Sequence, residues 1–184
     1  SEMCKETVDT PCKTCDGKGK IRRQKTIEIS VPAGIDDDQI LNVGGKGNAG
    51  SNGGPNGDLH VYITVRPHAI FTRRGNDVWC DMPITFTQAA LGAEVTVPTL
   101  DGKVSYTVHE GTQPGDVFKL KGKGIQSING RGRGDQYVRV TVEVPKNLSK
   151  RQKELLQEFE QNADEKNYQK RKSFFGKIKD LFED

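Results

Sequence analysis

The sequence predicts a mostly β fold, with two tandem sandwich-like domains followed by C-terminal helices. Residues 31–65 and 108–142 match at a constant offset of 77, with 12 identities in 35 positions and no gap. A match of this length at one spacing indicates a duplicated structural unit. Segments of alternating apolar and polar residues within each copy are typical of half-buried strands. After Pro145 the apolar residues recur at helical spacing instead, which predicts the helical tail.

Each copy contains the same predicted elements in the same order. A first strand is predicted at residues 26–31 and again at 104–108, where apolar and polar residues alternate. A glycine-marked turn, a short strand and a Gly-Lys-Gly segment follow in both copies. The last strand of each copy is predicted at 59–65 and 137–144. Glycines at matching positions are expected to serve turns and close backbone approaches.

The second copy has further predicted elements that make it a complete small sandwich. A strand is predicted over 78–86, a short helical segment over 87–92 that glycine ends, and a returning strand over 93–98. Asp101-Gly102 then carries the signal of a tight hairpin.

Composition excludes several classes of protein. The 184 residues include 21 glycines and only 33% apolar residues, which favours small cores. A net charge of +3 is too weak to predict nucleic-acid binding. Residues 131–134 (Arg-Gly-Arg-Gly) align with the loop at 54–57, so a hairpin loop is favoured over a nucleic-acid patch. No apolar run approaches the roughly 18 residues of a membrane span. Four cysteines without a secretory signal predict a reducing, cytoplasmic location.

Cys12-Lys13-Thr14-Cys15 is a candidate metal site, because this spacing lets two thiolates bind one tetrahedral zinc. A structural zinc site has four ligands, so the pair predicts half a site. Cys4 fits no zinc spacing, and Cys80 is expected to be a buried free thiol in a strand. A redox-active pair is the alternative, but the βαβ context of that motif is missing.

Several motifs occur in an order that resembles the C-terminal half of the DnaJ family of heat-shock co-chaperones. These are Cys-x-x-Cys-x-Gly-x-Gly at 12–19, Val-Pro-Ala-Gly-Ile at 31–35, Gly-Gly-Pro-Asn-Gly-Asp-Leu-His-Val at 53–61, Arg-Pro-His-Ala-Ile-Phe at 66–71, Thr-Gln-Ala-Ala-Leu-Gly at 87–92 and Gly-Arg-Gly-Asp-Gln-Tyr-Val at 132–138. The resemblance covers residues 11–184. The J domain with its His-Pro-Asp tripeptide is not found, so the chain is expected to be a fragment of a longer member.

The resemblance implies a division of the chain and a cofactor. Residues 1–24 are a remnant of the cysteine-rich region, 25–74 an incomplete first β domain, 75–146 a second β domain and 147–184 a dimerisation tail. In the family four Cys-x-x-Cys repeats form two zinc sites, and residues 12–19 resemble the fourth repeat. Zinc is therefore implied for the longer protein, with Cys12 and Cys15 as the ligands that this chain contributes.

The resemblance also implies a client-binding groove. Positions matching Ile27 and Phe71 line that groove in the family, and Ile29 lies on the same predicted strand. The offset of 77 maps Ile27 and Ile29 onto Val104 and Tyr106, which predicts a second, weaker groove. Because the upstream strands of the first domain are missing from this sequence, an exposed apolar edge is expected there. Ordinary core packing remains the alternative for each of these residues.

The tail is predicted to form two helices with a charged linker at 163–172. Ser149 and Gln152 fit a capping box before the first helix, which is expected to run to about Asn162. The apolar residues of the tail recur at helical spacing; they are Leu155, Leu156 and Phe159, then Phe174, Phe175, Ile178, Leu181 and Phe182. They could pack on the adjoining β domain, on a partner chain or on a membrane surface. The resemblance favours a homodimer.

The function that these features predict is chaperone activity in heat-shock stress and protein folding. Unfolded polypeptides would bind through apolar β-edge grooves, which would prevent their aggregation, and the full-length protein would deliver them to a DnaK-type ATPase chaperone. A carbohydrate- or nucleic-acid-binding sandwich is the alternative; it would need exposed aromatic residues, and the sequence has a single tryptophan, Trp79. Enzymatic activity is not expected, because no Ser/His/acid set, paired carboxylates or HExxH pattern occurs.

Overall fold

The computed structural model describes residues 13, 21, 23–50, 54–130 and 132–182, with the side chains of 179–181 outside this description. The chain forms two compact units. The first comprises Ser1–His68 and Ile125–Gly132, and the second comprises Ala69–Gly124 and Arg133–Asp184. Residues 69–74, predicted to belong to the first domain, therefore lie in the second unit.

The first unit contains a two-stranded antiparallel sheet. Strand β1 (Ile40–Val43) pairs with β2 (Leu59–Tyr62), with Ile40 opposite Tyr62. The predicted strand 59–65 is thus too long. Beyond Tyr62 the Val65 N–H donates to the Asp37 side chain rather than to a strand, because the chain has already turned at residues 37–38.

The strand predicted at 26–31 is wrong, since the structure assigns no strand there. Burial nevertheless alternates along this segment, because Ile27 and Ile29 are half-buried while Glu28 is exposed. The equivalent strand of the second unit is held by a partner strand. No partner strand for residues 26–31 is found among the residues that the structure describes.

The second unit is a sandwich of a four-stranded and a two-stranded sheet. The strands of the larger sheet stand in the order β3 (Phe71–Arg74), β4 (Asp77–Thr85), β8 (Gln136–Glu143) and β7 (Val117–Leu120). Strands β4 and β8 are parallel, and the other neighbours are antiparallel. Strands β5 (Ala93–Thr99) and β6 (Gly102–Val108) form the hairpin predicted from Asp101-Gly102. The strands predicted in the second copy are confirmed to within two residues at each end.

Helix α1 (Phe86–Leu91) confirms the predicted helical segment. Thr85 caps it, since the Gln88 N–H donates to Thr85 Oγ1 and the Gln88 side chain accepts from the Thr85 N–H. The helix ends at Gly92, which has a φ of 77°. A Cβ there would also lie 3.0 Å from the Val108 carbonyl oxygen, so two constraints favour glycine.

The core of the second unit lies between its two sheets. Its buried apolar side chains are Val78, Cys80, Met82, Ile84, Ala89, Val97, Val108, Val138 and Val140. Cys80 is a buried free thiol, as predicted, and burial raises its pKa. Half-buried Phe71 and Phe118 pack against this core from the two outer strands of the larger sheet.

The internal repeat is confirmed in the strand pairing. Strand β7 is β1 shifted by 77 residues, and β8 begins 77 residues after β2. The register repeats as well, because Leu41 lies opposite Val61 and Phe118 lies opposite Val138. The two copies therefore share a strand register as well as a sequence pattern.

The tail consists of α2 (Lys150–Asn162), a 3-10 turn (Glu165–Asn167) and α3 (Gln169–Phe182). The capping box of Ser149 and Gln152 is confirmed. The predicted linker at 163–172 is wrong over most of its length. Asp164 accepts a hydrogen bond from the Lys166 N–H, which starts the 3-10 turn, and α3 begins directly after it. None of the helices in the described ranges is long and apolar enough to cross a membrane.

Candidate functional site

A repeated aspartate holds the loop before the last strand of each copy. Asp58 Oδ1 accepts a hydrogen bond of 2.9 Å from the Gly45 N–H. Asp135 Oδ1 accepts one of 2.7 Å from the Gly122 N–H, which lies 77 residues further on. A side chain thus fixes the distance between two backbone segments at the same point of both units.

The second oxygen of each aspartate has a different partner in each copy. The Asn42 Nδ2 donates to Asp58 Oδ2 over 3.3 Å, whereas the Lys119 Nζ lies 3.2 Å from Asp135 Oδ2. The backbone hydrogen bond first, and these side chains second, hold the pKa of both carboxyl groups below the usual range. The second unit therefore has an ion pair where the first has a neutral contact.

Paired glycines close the same loop. The Gly47 N–H donates to the Gly57 carbonyl oxygen over 2.7 Å, and the Gly124 N–H donates to that of Gly134 over 2.8 Å. A Cβ on Gly124 would lie 2.5 Å from the Gly134 carbonyl carbon. Close backbone approach thus requires glycine at the second position of both Gly-Lys-Gly segments, and a φ of 65° at Gly45 and 68° at Gly122 favours it at the first.

The second unit contains a groove next to strands β6 and β7, which we call the second-unit groove. Its volume is about 280 Å³, and its walls are formed by Tyr106, Val108, His109, Thr112, Asp116, Val117, Phe118 and Val140. The rings of Tyr106 and Phe118 stack with centroids 3.7 Å apart and connect the two sheets on its wall. Most of the lining side chains are apolar, which suits an apolar guest.

Both strands beside the second-unit groove are edge strands within the described part of the chain. Strand β6 pairs only with β5 there, and β7 pairs only with β8. An edge strand can accept one more strand through its backbone N–H and C=O groups. Backbone pairing at such an edge would be indifferent to sequence, and the groove would add a preference for apolar side chains.

The predicted client-binding residues of the second copy separate into two groups. Tyr106 lines the second-unit groove. Val104 lies opposite Val97 within the hairpin and is not among the residues that line the groove. Val104 thus contributes to the hairpin rather than to the wall of the groove.

The predicted residues of the first copy also separate. Phe71 opens β3, lies opposite Cys80 and packs against the core of the second unit. Ile27 and Ile29 lie in the first unit. Phe71 is thus half-buried against that core, and no single unit contains all three residues.

The offset of 77 identifies which residues would form the same groove in the first unit, which we call the first-unit counterpart. They are Ile29, Val31, Pro32, Ile35, Gln39, Ile40, Leu41 and Ile63. Sequence reasoning missed the contribution of β7 and its equivalent β1 to this site. The signal was present in the repeat, where Leu41 aligns with Phe118 and Ile40 with Val117.

The predicted dimerisation residues of α2 remain partly exposed. Leu155, Leu156 and Phe159 keep 48%, 39% and 47% of their surface accessible. Phe159 meets the edge of the Phe86 ring at a centroid distance of 6.1 Å. The helix therefore makes an aromatic contact with α1 of its own unit, and much of its apolar surface is left uncovered.

The predicted dimerisation residues of α3 are also exposed where the structure describes them. Phe174 and Phe175 lie edge to face with each other, and Phe182 is 82% accessible. Ile178 is half-buried, and the Leu181 side chain lies outside the description. The tail thus presents large apolar side chains without covering them in this single chain.

The predicted zinc ligands Cys12 and Cys15, together with Cys4, lie outside the described residues. Within the described ranges, no three His, Cys, Asp or Glu side chains are close enough together to hold a metal ion. The metal prediction is therefore carried by the sequence alone.

Trp79, the residue that an alternative carbohydrate or nucleic-acid site would need, has both ring faces covered. Tyr137 of β8 stacks on it at 4.8 Å, and the Arg74 guanidinium of β3 lies 4.7 Å from its ring centroid. These contacts come from the strands on opposite sides of β4. The ring therefore offers no free face for stacking a sugar or a base.

The chain combines a duplicated β unit, a groove beside edge strands and an exposed helical tail. These features define a class of modular binding protein, and comparison with known families identifies the family. Residues 4–145 match the family described as DnaJ C terminal domain, and residues 151–184 match the one described as Chaperone protein DnaJ C-terminal region. The chain belongs to the DnaJ family.

Similar proteins are found in several bacteria under the name Chaperone protein DnaJ. The one from Ruminiclostridium cellulolyticum is 57% identical over 93% of this chain and 49% of its own length. Those from Acetivibrio thermocellus and Clostridioides difficile are each 53% identical, over 94% and 96% of this chain. The chain spans about half the length of these relatives, 45% and 46% in the last two cases.

Proposed function

We propose that this chain is the client-binding and dimerisation part of a DnaJ-type co-chaperone. It binds extended segments of unfolded polypeptides and keeps them from aggregating. In the longer protein it passes them to a DnaK-type ATPase chaperone. The observation that carries the proposal is the second-unit groove, where two edge strands flank an apolar wall built from Tyr106 and Phe118.

The mechanism follows from what the site offers to a guest. An unfolded segment exposes backbone N–H and C=O groups together with apolar side chains. Adding it as a strand to β6 or β7 would satisfy its backbone, and the groove would take up alternate side chains. Neither interaction requires a defined sequence, which is the property that a binder of unfolded chains needs.

The repeat supports a second site of the same kind. The first-unit counterpart has the same strand register and the same aspartate-held loop as the second-unit groove. Ile29 occupies the position of Tyr106, and Leu41 that of Phe118. Two sites on one chain raise the apparent affinity for a client long enough to reach both.

The remaining predictions complete the proposal. The chain is a homodimer through its tail, has no catalytic activity of its own, and works in the cytoplasm. Zinc belongs to the longer protein, where Cys12 and Cys15 would supply two thiolates and other cysteines the rest. Supporting these proposals are the exposed apolar residues of α2 and α3 and the Cys-x-x-Cys spacing.

The direct test is suppression of aggregation. A chemically denatured protein is diluted into buffer with and without this chain, and light scattering is followed over time. We expect the chain to reduce scattering, and an excess of a short apolar peptide to restore it by occupying the grooves. Unchanged scattering at a several-fold excess of the chain would contradict the proposal.

A further inference from the structure

The first unit includes a segment that belongs by sequence to the second copy. Residues 125–132 lie 77 positions after residues 48–55, the loop rich in glycine and asparagine of the first copy. Ile125–Gly132 nevertheless lies in the first unit, together with Ser1–His68. The second copy thus contributes a loop to the first unit, and we call residues 125–130 of this loop the strap.

The strap lies against the turn of residues 32–35. A Cβ added to Gly34 would overlap the Gln126 carbonyl oxygen and would lie 3.1 Å from the Ile128 nitrogen. Because both of these atoms belong to the backbone, a side chain at Gly34 could be accommodated only if the strap itself moved. Gly34 is accordingly half-buried.

The equivalent turn of the second unit is not covered in this way. Gly111 is exposed, and a Cβ there would have no neighbour within 4 Å in the part of the chain that the structure describes. Both turns place a glycine at positive φ, 88° for Gly34 and 75° for Gly111. Each turn is also closed by a backbone hydrogen bond of 3.3 Å, donated by Ile35 in one and by Thr112 in the other. The repeat therefore contains a covered and an uncovered version of one turn.

The strap has a shape of its own. The Ser127 N–H donates to the Gly132 carbonyl oxygen over 3.1 Å, and the Gly130 N–H donates to the Ser127 carbonyl oxygen over 2.9 Å. The second of these bonds closes a tight turn at the tip. A loop that is already ordered loses little further backbone entropy when it packs, so the strap can hold a neighbouring turn effectively.

The base of the strap is fixed in the second unit. The Gly124 N–H donates to the Gly134 carbonyl oxygen over 2.8 Å. The Arg133 guanidinium donates to the Gly124 carbonyl oxygen and forms an ion pair of 2.8 Å with the Asp101 carboxylate. Backbone pairing and an ion pair thus hold both ends of the loop in place.

We infer that the strap keeps the turn of residues 32–35 closed, so that a segment of the second copy controls local opening in the first unit. The turn directly follows residues 26–31, in which Ile27 and Ile29 are half-buried. Because the turn anchors the end of that stretch, release of the strap would let the stretch open locally while the second unit stays folded. The inference does not depend on the proposed function, since it concerns the opening of the chain and not what the chain binds.

Hydrogen exchange measured by NMR tests the strap, because the two equivalent turns can be compared within one chain. After correction for intrinsic rates, we expect the Ile35 amide to exchange at least about fivefold more slowly than the Thr112 amide. A shortened variant replaces residues 126–132 by Asn-Gly, a pair that forms a two-residue hairpin turn between Ile125 and Arg133. In this variant the Ile35 amide should lose its extra protection, and the Thr112 amide should exchange as in the parent.

Gly34→Ala and Gly111→Ala form a matched pair of substitutions. Each places a Cβ at a positive φ, and only the first also places one against the strap. Gly34→Ala should therefore speed up exchange of the Ser127 and Gly130 amides at least about fivefold. Gly111→Ala should leave the exchange of both strap amides unchanged.

The outcomes are decisive without any variant, because the parent already contains both turns. Equal exchange of the Ile35 and Thr112 amides in the parent would overturn the inference. So would an unchanged Ile35 amide in the shortened variant, once the amides of β5 and β6 show that its second unit is intact. Either result would leave the proposed function standing, since suppression of aggregation is measured separately.

Discussion

At the scale of single residues, the repeat shows which side chains the fold requires. Asp58 and Asp135 recur because each closes a loop by accepting a backbone N–H from a glycine. Gln39 and Asp116 share one hydrogen-bonding task with different charges. Comparison of the two copies thus separates the hydrogen bonds that the backbone conformation requires from the charges that differ on the surface.

The aspartate contacts predict an acid-dependent stability. Because the folded pKa of Asp135 lies below its unfolded value, its contribution is fully present above the unfolded pKa of about 4 and disappears as pH falls through the lower folded pKa. Asp135→Asn should therefore lower the melting temperature by a few degrees at neutral pH. The loss should vanish in acid, and thermal denaturation between about pH 2 and 7 measures it. A constant difference across this range would show that the charge does not matter.

A second prediction concerns a turn that has a positive φ in both copies but contains glycine in only one of them. Gly115 has a φ of 92° with open space around it, and the equivalent Asp38 has a φ of 57°. Gly115→Ala should cost about 1 kcal/mol, because a Cβ is strained in this region whatever the space. Asp38→Gly should change stability by less, because aspartate tolerates this conformation and glycine adds entropy to the unfolded chain. Urea denaturation of both variants gives the comparison; an equal loss in the two would contradict it.

At the scale of elements, the sequence predicted the strands that recur in both copies and the helix that follows a capping motif. The register of β1 with β2 and of β7 with β8 follows the offset of 77. Helix α2 follows its capping box and begins where the box predicts. These features depend on neighbours in sequence or on comparison between the copies, so one sequence contains enough information to find them.

Other elements could not be predicted from the sequence, because residues far away in the chain determine their pairing. The parallel pairing of β4 with β8 joins Val78 to Gln136, and neither segment contains a signal for the other. That pairing also draws β3 and Phe71 into the second unit. Residues 26–31 have the alternation of a strand but no assigned ladder, since a strand is defined by its partner. The position of Phe71 against the core of the second unit therefore could not be read from its sequence neighbours.

The helical elements support a test of the dimer. Leu155, Leu156 and Phe159 are each partly exposed, and burying such side chains contributes about 1.5–3 kcal/mol apiece. Cutting the chain after Pro145 should leave the β units folded and convert a dimer to a monomer in light scattering. Because the cut also removes the contact of Phe159 with Phe86, Phe174→Ser in the full chain serves as a second variant that leaves this contact in place. A truncated protein that stays dimeric would place the interface elsewhere.

At the scale of the whole molecule, duplication explains the organisation. One β unit, used twice, gives two strand pairs that share a register while the side chains around them differ. The tail adds exposed apolar surface to the second unit. In a dimer the number of grooves would double, which would favour long unfolded chains over short folded segments.

The central claim is that extended polypeptides bind in the repeated groove, and a peptide titration tests it most directly. A fluorescent apolar peptide is titrated against the full chain and against Tyr106→Ser and Ile29→Ser combined. Val144→Ser serves as the control, since Val144 is 74% exposed and lies outside the groove. Circular dichroism confirms that each variant is folded. We expect the combined variant to bind about tenfold or more weakly, because two apolar contacts of about 1.5–3 kcal/mol are lost, and the control to bind as the parent does. Equal affinity in the combined variant and the parent would contradict the claim.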